Sequence, residues 1–202
     1  GLRKTGKTSI VYDVIRKLPQ KDSLGVLIDC QNTSFNFRRW NYALYYVLLR
    51  SFEEADIEFS LNEAQFTEAD AAYLFEKSIS ELSKTISKNI LLLFDEIENI
   101  TFGKSGVEHW CNGLDFVYFW QSVRSAFQHT TNIFSFCILG TNSKCIEVPI
   151  ILEKDNPIFN AFQPRYIPGF DQGRTREMVR KLGRLMGIRF DEGVYTRLTE
   201  DY

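Results

Sequence analysis

Three short apolar runs, each closing on polar residues, limit what this chain can fold into: LGVLIDC at 24–30, NILLLFD at 89–95 and NIFSFCILGTN at 132–142. Each has strand length and no polar alternation, which predicts strands buried on both faces. The segments between them have helical periodicity. KTSIVYDVIRKL, 7–18, puts Ile10, Val11, Val14, Ile15 and Leu18 at helical spacing, and Pro19 stops it. Residues 37–55 and 114–128 are long, aromatic and free of Gly and Pro. In 67–87, Thr67 reads as the N-cap of a helix whose stripe is Phe75, Ile79, Leu82 and Ile86. Strands separated by helices pair in parallel, because a crossover returns each strand in the same direction. The expected class is therefore α/β, a parallel sheet flanked by helices. Residues 143–165 read as irregular, and RYIPGF at 165–170 as a short edge strand. A basic amphipathic helix is expected over 173–187, with a second helical start at 191–202.

The polar stretches at the ends of these elements carry the chemistry. GLRKTGKTS, 1–9, fits G-x-x-x-x-G-K-[ST], the phosphate-binding pattern of P-loop nucleoside triphosphatases. Gly1 and Gly6 allow close backbone approach, and the N–H groups from Lys4 and Thr5 through Ser9 can form an anion nest at a helix start. Lys7 would reach the β- and γ-phosphates, and the Thr8 hydroxyl would bind Mg²⁺. The run ILLLF leads into Asp95 and Glu96. A parallel strand delivers its last residues to the sheet edge where ligands of open α/β sheets bind. Asp95 would hold the metal, and Glu96 would orient or deprotonate a water. Either motif alone has an ordinary structural explanation; their order, spacing and strand context together predict nucleoside triphosphate binding.

Other residues are ambiguous. Asn142, in ILGTN, ends a strand and could hydrogen-bond the γ-phosphate, or simply form a turn. Arg165, Arg174 and Arg176 are candidates to meet charge developing on a transferred phosphoryl group, and each also fits a solvated or ion-paired surface role. Asp29, at the end of its strand, could face the same edge or cap a turn.

Composition removes several classes. The net charge of −2 gives no global basic field for nucleic acid, leaving the helix at 173–187 as its only support. Four cysteines with no CxxC pair and two histidines make a zinc site a poor fit. Cys30 and Cys137 lie in strand-like runs and read as buried thiols, which points to a reducing, cytoplasmic setting. No run is long and apolar enough to span a membrane, and no signal-peptide pattern opens the chain.

With those residues in place, the chain resembles the AAA+/STAND group of P-loop ATPases. GLRKTGKTS resembles their Walker A motif, LLLFDE their Walker B, and LGTN the end of their sensor-1 strand. RYIPGF, the helix after it and VYTRLTEDY resemble the passage into their helical lid. The resemblance implies a P-loop core at 1–170 and the start of a small helical lid at 171–202. It also implies an ATP-dependent conformational or oligomerisation switch, with homo-oligomers and with sensor and effector domains on the same parent chain, in signalling or antiphage defence. Glu96, Lys7 and Asn142 would then be catalytic, with Mg²⁺ and ATP bound at Gly1, Lys4 to Ser9 and Asp95. The pattern departs from some STAND subfamilies in placing Asn142 where they carry Arg, and no arginine finger stands out. Because a P-loop needs the strand before it, the chain is expected to be an excerpt that lacks that strand and breaks off within the lid. A nucleotide-binding module with little turnover and a DNA-associated ATPase of origin-recognition type are the alternatives.

Overall fold

The computed structural model describes residues 7–130, 133–166 and 171–200, with side chains through Leu198. The chain divides into two compact units, Gly1–Pro164 and Arg165–Tyr202.

The first unit is built on a three-stranded parallel sheet, β1 (Ser23–Asp29), β2 (Asn89–Asp95) and β3 (Phe134–Ile138), in that spatial order. The register aligns Leu24 with Ile90 and Ile90 with Phe134, so even-numbered residues of all three strands share one face. Val26, Ile28, Leu92, Phe94 and Phe134 on that face are buried in one core. It is covered by α3 (Trp40–Glu54), α4 (Ala71–Ile86) and α6 (Leu114–His129), which pack on one another. The aromatic residues that the sequence concentrates in these segments fill it. Trp120 stacks on Phe136 at 5.8 Å and meets Phe94 edge-on at 5.1 Å, a geometry that adds to the apolar burial.

The other face is covered differently. Helix α1 (Lys7–Lys17) lies against β1. Gly25 permits the approach: a Cβ there would stand 2.9 Å from Leu18 Cδ1 and 3.1 Å from Ile15 Cγ1. Of the apolar stripe read from the sequence, Val11 is buried, Ile15 and Leu18 are half-buried, and Ile10 and Val14 are exposed. At β3 this face is open among the described residues. Ser135 and Cys137 are exposed, so the expectation that β3 is buried on both faces and that Cys137 is a buried thiol fails. The run NIFSFCI looks continuous because Phe134, Phe136 and Ile138 alternate with small residues that are weakly polar. Cys30 is buried, as expected.

Several boundaries differ from the periodicity. The helix read over 37–55 runs as α3, starting at Trp40, and a short helix outside that reading, α2 (Thr33–Asn36), stands ahead of it, with Asn32 accepting the Ser34 N–H at 2.8 Å. Helix α4 starts three residues later than Thr67 implied, with Asp70 at its N-cap. Thr67 instead closes the preceding turn, its hydroxyl accepting the Asp70 N–H at 3.2 Å and donating to the Asp70 carboxylate at 2.7 Å. After β3, the stretch read as irregular contains α7 (Lys144–Glu147) and an antiparallel hairpin of β4 (Ile150–Ile151) and β5 (Lys154–Asp155). A short helix, α5 (Glu108–Cys111), precedes α6. The Asp115 carboxylate, buried at the start of α6, accepts from Arg39 Nε at 2.7 Å and from the Trp40 N–H at 3.2 Å. His109 Nδ1 lies 2.9 Å from the same oxygen, so one acid ties the starts of α3 and α6 to α5.

The second unit contains α8 (Gln172–Leu185) and α9 (Glu192–Glu200). Asp171 caps α8, accepting the Arg174 N–H at 2.8 Å. Arg176 pairs with Glu192 and lies over the Tyr195 ring, joining the two helices. The strand expected over 165–170 falls mostly outside the described residues. No described helix is long and apolar enough to cross a membrane.

Candidate functional site

Two elements meet at the C-terminal edge of the sheet. Strand β2 ends in Asp95, which is 3% exposed. Helix α1 starts with Lys7, itself buried, and Thr8. The Thr8 hydroxyl donates to Asp95 Oδ2 at 2.6 Å, across 87 positions of sequence. The other carboxylate oxygen of Asp95 accepts the Glu96 N–H at 2.9 Å. Asp95 is thus held from both sides, once by the first turn of α1 and once by the backbone of its own turn. The donor to Asp95 Oδ2 is oxygen-bearing and small, and a buried carboxylate gains more from such a partner than an exposed one does.

Glu96 follows at φ 53° and ψ 45°, the left-handed region, which side chains other than Gly, Asn and Asp enter at a cost. Its carbonyl accepts Asn99 Nδ2 at 2.9 Å, and a 3₁₀ turn, Ile97–Ile100, follows. This conformation ends β2 abruptly. Burial pushes the Glu96 carboxyl above the usual carboxylate range, and the neighbouring Glu98 adds to it; the Lys7 charge works in the opposite direction.

The turn after β2 is stitched to the turn after β3. Leu139 donates its N–H to the Phe94 carbonyl at 2.8 Å, and Ile97 donates to the Leu139 carbonyl at 3.1 Å. Glu98 accepts the Thr141 N–H at 3.2 Å and the Thr141 hydroxyl. Burial works to raise the Glu98 carboxyl, but the hydrogen bonds from Thr141 and from backbone N–H groups outweigh it, and its pKa falls below the ordinary value. Sequence reading passed over Glu98 and Thr141. The signal was a third acid in DEIE and a hydroxyl in LGTN, both next to residues already singled out.

The remaining residues named from sequence divide by location. Gly1, Lys4, Thr5 and Gly6 lie outside the described residues. Ser9 is exposed on the first turn of α1. Asn142 is exposed, and its Oδ1 accepts the Lys144 N–H at 2.8 Å, an Asx turn. The turn uses the carbonyl end of the amide, whereas a phosphate contact would use Nδ2. Asp29 is aligned with Asp95 across β1 and β2, and its carboxylate accepts the Gln31 N–H at 2.9 Å, so it too closes a turn. Arg165 and Arg174 belong to the second unit; both are exposed, and Arg174 Nε stands 3.5 Å from Asp171.

As a cation site, the edge offers oxygen only: the Thr8 hydroxyl and the Asp95 carboxylate. No group of three or more His, Cys, Asp or Glu side chains converges among the described residues. A cation bound by protein ligands alone does not suit this set. Mg²⁺ does, because it keeps several waters and takes one or two protein oxygens plus phosphate.

The chain matches no known protein-family model and no curated protein.

Proposed function

We propose that this chain is a P-loop nucleoside triphosphatase domain of AAA+/STAND type, binding Mg-ATP at the C-terminal edge of its sheet and hydrolysing the γ-phosphate. The observation that carries the reading is the Thr8–Asp95 hydrogen bond at 2.6 Å, with Glu96 next to it on a left-handed turn. A GKTS helix start and an apolar strand ending in Asp-Glu are distant in sequence, and the reading requires them to share one hydroxyl–carboxylate contact. The parallel α/β sheet adds support, since ligands of such sheets bind beyond the carboxyl ends of the strands.

In this reading Thr8 and Asp95 would hold Mg²⁺. The cation, when bound, neutralises charge on the phosphates. Lys7 supplies a positive charge beside the β- and γ-phosphates, at the head of a helix whose N–H groups favour anions. Glu96 orients the attacking water and accepts its proton, a task eased by a carboxyl whose pKa lies above the ordinary range. The hydrolytic cycle then serves as a switch for conformation or for homo-oligomer assembly in a cytoplasmic signalling or antiphage-defence protein. Sensor and effector domains are supplied by the same parent chain.

The test is ATP binding and hydrolysis by the intact protein over a concentration series, beside Glu96→Gln and Lys7→Ala. Glu96→Gln is expected to bind ATP with unchanged affinity and to lose about 100-fold or more in kcat. Lys7→Ala removes a charged donor worth about 1.5–3 kcal/mol, so its Kd for ATP should rise about tenfold or more. Full turnover in Glu96→Gln refutes the catalytic role. Tight binding with no turnover in any form makes the domain a nucleotide-binding module instead.

A further inference from the structure

We infer that Glu98 is a positioning residue, resting on the triphosphatase reading above: its carboxylate latches the turn after β3 to the turn after β2, and so fixes Glu96 relative to the Thr141–Asn142 segment. Glu98 is the last of three contacts between these turns. The first two are backbone bonds, Leu139 N–H to Phe94 and Ile97 N–H to Leu139, at 2.8 and 3.1 Å. They hold strand ends whose spacing the sheet already sets. The third reaches one residue further on each side, and a side chain makes it. Glu98 accepts both the N–H and the hydroxyl of Thr141.

The packing beneath the latch leaves one solution. Gly140 sits on the Walker-type turn so closely that a Cβ would be 2.6 Å from Ile97 Cγ2 and 2.7 Å from Glu98 Oε2. Residue 140 therefore has to be glycine for the carboxylate to reach Thr141. On the other side, the backbone of residue 96 is pinned at both ends, its N–H to Asp95 and its carbonyl to Asn99. A chain held in the left-handed region by its neighbours keeps that conformation only while they over-determine it. Glu98 lies two residues on and carries the anchor to the next strand. Losing it leaves the 3₁₀ turn at Ile97–Ile100 tied to the β3 turn by the single Ile97 N–H bond to Leu139, free to shift beyond that point, while Asp95 keeps its own contacts to Thr8 and to the Glu96 N–H.

This separates two kinds of damage. Thr8, Lys7 and Asp95 are untouched by loss of the latch, so nucleotide and metal binding persist. The water-orienting carboxylate loses its fixed position, and small displacements of a reacting group cost large factors in rate. Glu98 acts through both bonds and the Thr141 hydroxyl through one of them, so removing both side chains costs no more than removing Glu98 alone.

The experiment measures ATP affinity and kcat for the intact protein as wild type, Glu98→Ala, Thr141→Val, the double variant and Thr141→Ser. Glu98→Ala and Thr141→Val are each expected to lower kcat roughly 10- to 100-fold with Kd within about threefold of wild type. The double variant should equal the worse single one, and Thr141→Ser, which keeps the hydroxyl, should restore near-wild-type kcat. Thr141→Val is close to isosteric and covers the case in which Glu98→Ala fails to fold. Wild-type kcat in Glu98→Ala or in Thr141→Val, multiplied effects in the double variant, or a rise in Kd that accounts for the loss each overturns the positioning role. Wild-type protein that neither binds nor hydrolyses ATP overturns the triphosphatase reading and the role with it.

Discussion

On one face of the sheet Val26, Ile28, Leu92, Phe94, Phe134 and Phe136 meet three mutually packed helices. On the other, α1 lies against Gly25 of β1, and Ser135 and Cys137 of β3 are exposed. The first face is dense with aromatic rings in edge-on contact, an arrangement that resists any change of volume. Among the described residues of the first unit, the second is covered by one helix, and the residues with chemical interest, Lys7 and Thr8, stand at the head of that helix. Stability and chemistry are thus divided between opposite sides of the same strands. Asp95 belongs to the edge where they meet, reached by Thr8 from the thinly covered side.

Substitutions should separate the two sides. Phe94→Ala, on the packed face, removes a fully buried ring and is expected to cost about 3–5 kcal/mol, measured by denaturant unfolding. A loss below about 1 kcal/mol would mean that the aromatic layer is not the core. Thr8→Val removes the hydroxyl donated to a buried carboxylate. Charged hydrogen bonds are worth about 1.5–3 kcal/mol, so stability should fall within that range and, under the triphosphatase reading, Mg²⁺-dependent turnover should fall with it. Unchanged stability would break the link between α1 and β2. Gly25→Ala crowds Leu18 and Ile15, whose side-chain ends can shift, and should cost about 1–3 kcal/mol without touching the packed face. Cys137→Ser should change stability by less than about 0.5 kcal/mol, as exposed sites do. Native-state thiol labelling sharpens the same contrast. Cys137 should react in the folded protein, while Cys30, fully buried and with its thiol pushed well above the usual range by burial and the nearby acids, should wait for unfolding.

Much of the scaffold could be read from the chain. Strand identity followed from apolar runs because a parallel strand between helices has little room for polar side chains. What escaped reading was one-sidedness. Serine and cysteine are small and weakly polar, so Ser135 and Cys137 did not interrupt a run whose large residues all point one way. Helix α4 began late because Thr67 satisfied Asp70 rather than a helix start, and both arrangements use the same residue types. At the site, the residues at element ends were visible because loops between parallel strands carry polar residues to one edge. The Glu98–Thr141 contact was not, since it depends on how two turns pack, and only the missing Cβ of Gly140 hints at the closeness required. Asp115 and its three donors were likewise silent in sequence, because Arg39, Trp40 and His109 come from two separate elements.

Glu96 occupies a backbone conformation that costs a residue of its type about 1–3 kcal/mol. Under the triphosphatase reading proposed above, selection for thermal endurance and selection for turnover therefore pull residue 96 in opposite directions. A library screened only for heat resistance should accumulate glycine or asparagine there, and every such winner would have surrendered the carboxylate. On that reading, the position is a place where a sequence optimiser blind to activity would trade away the activity first.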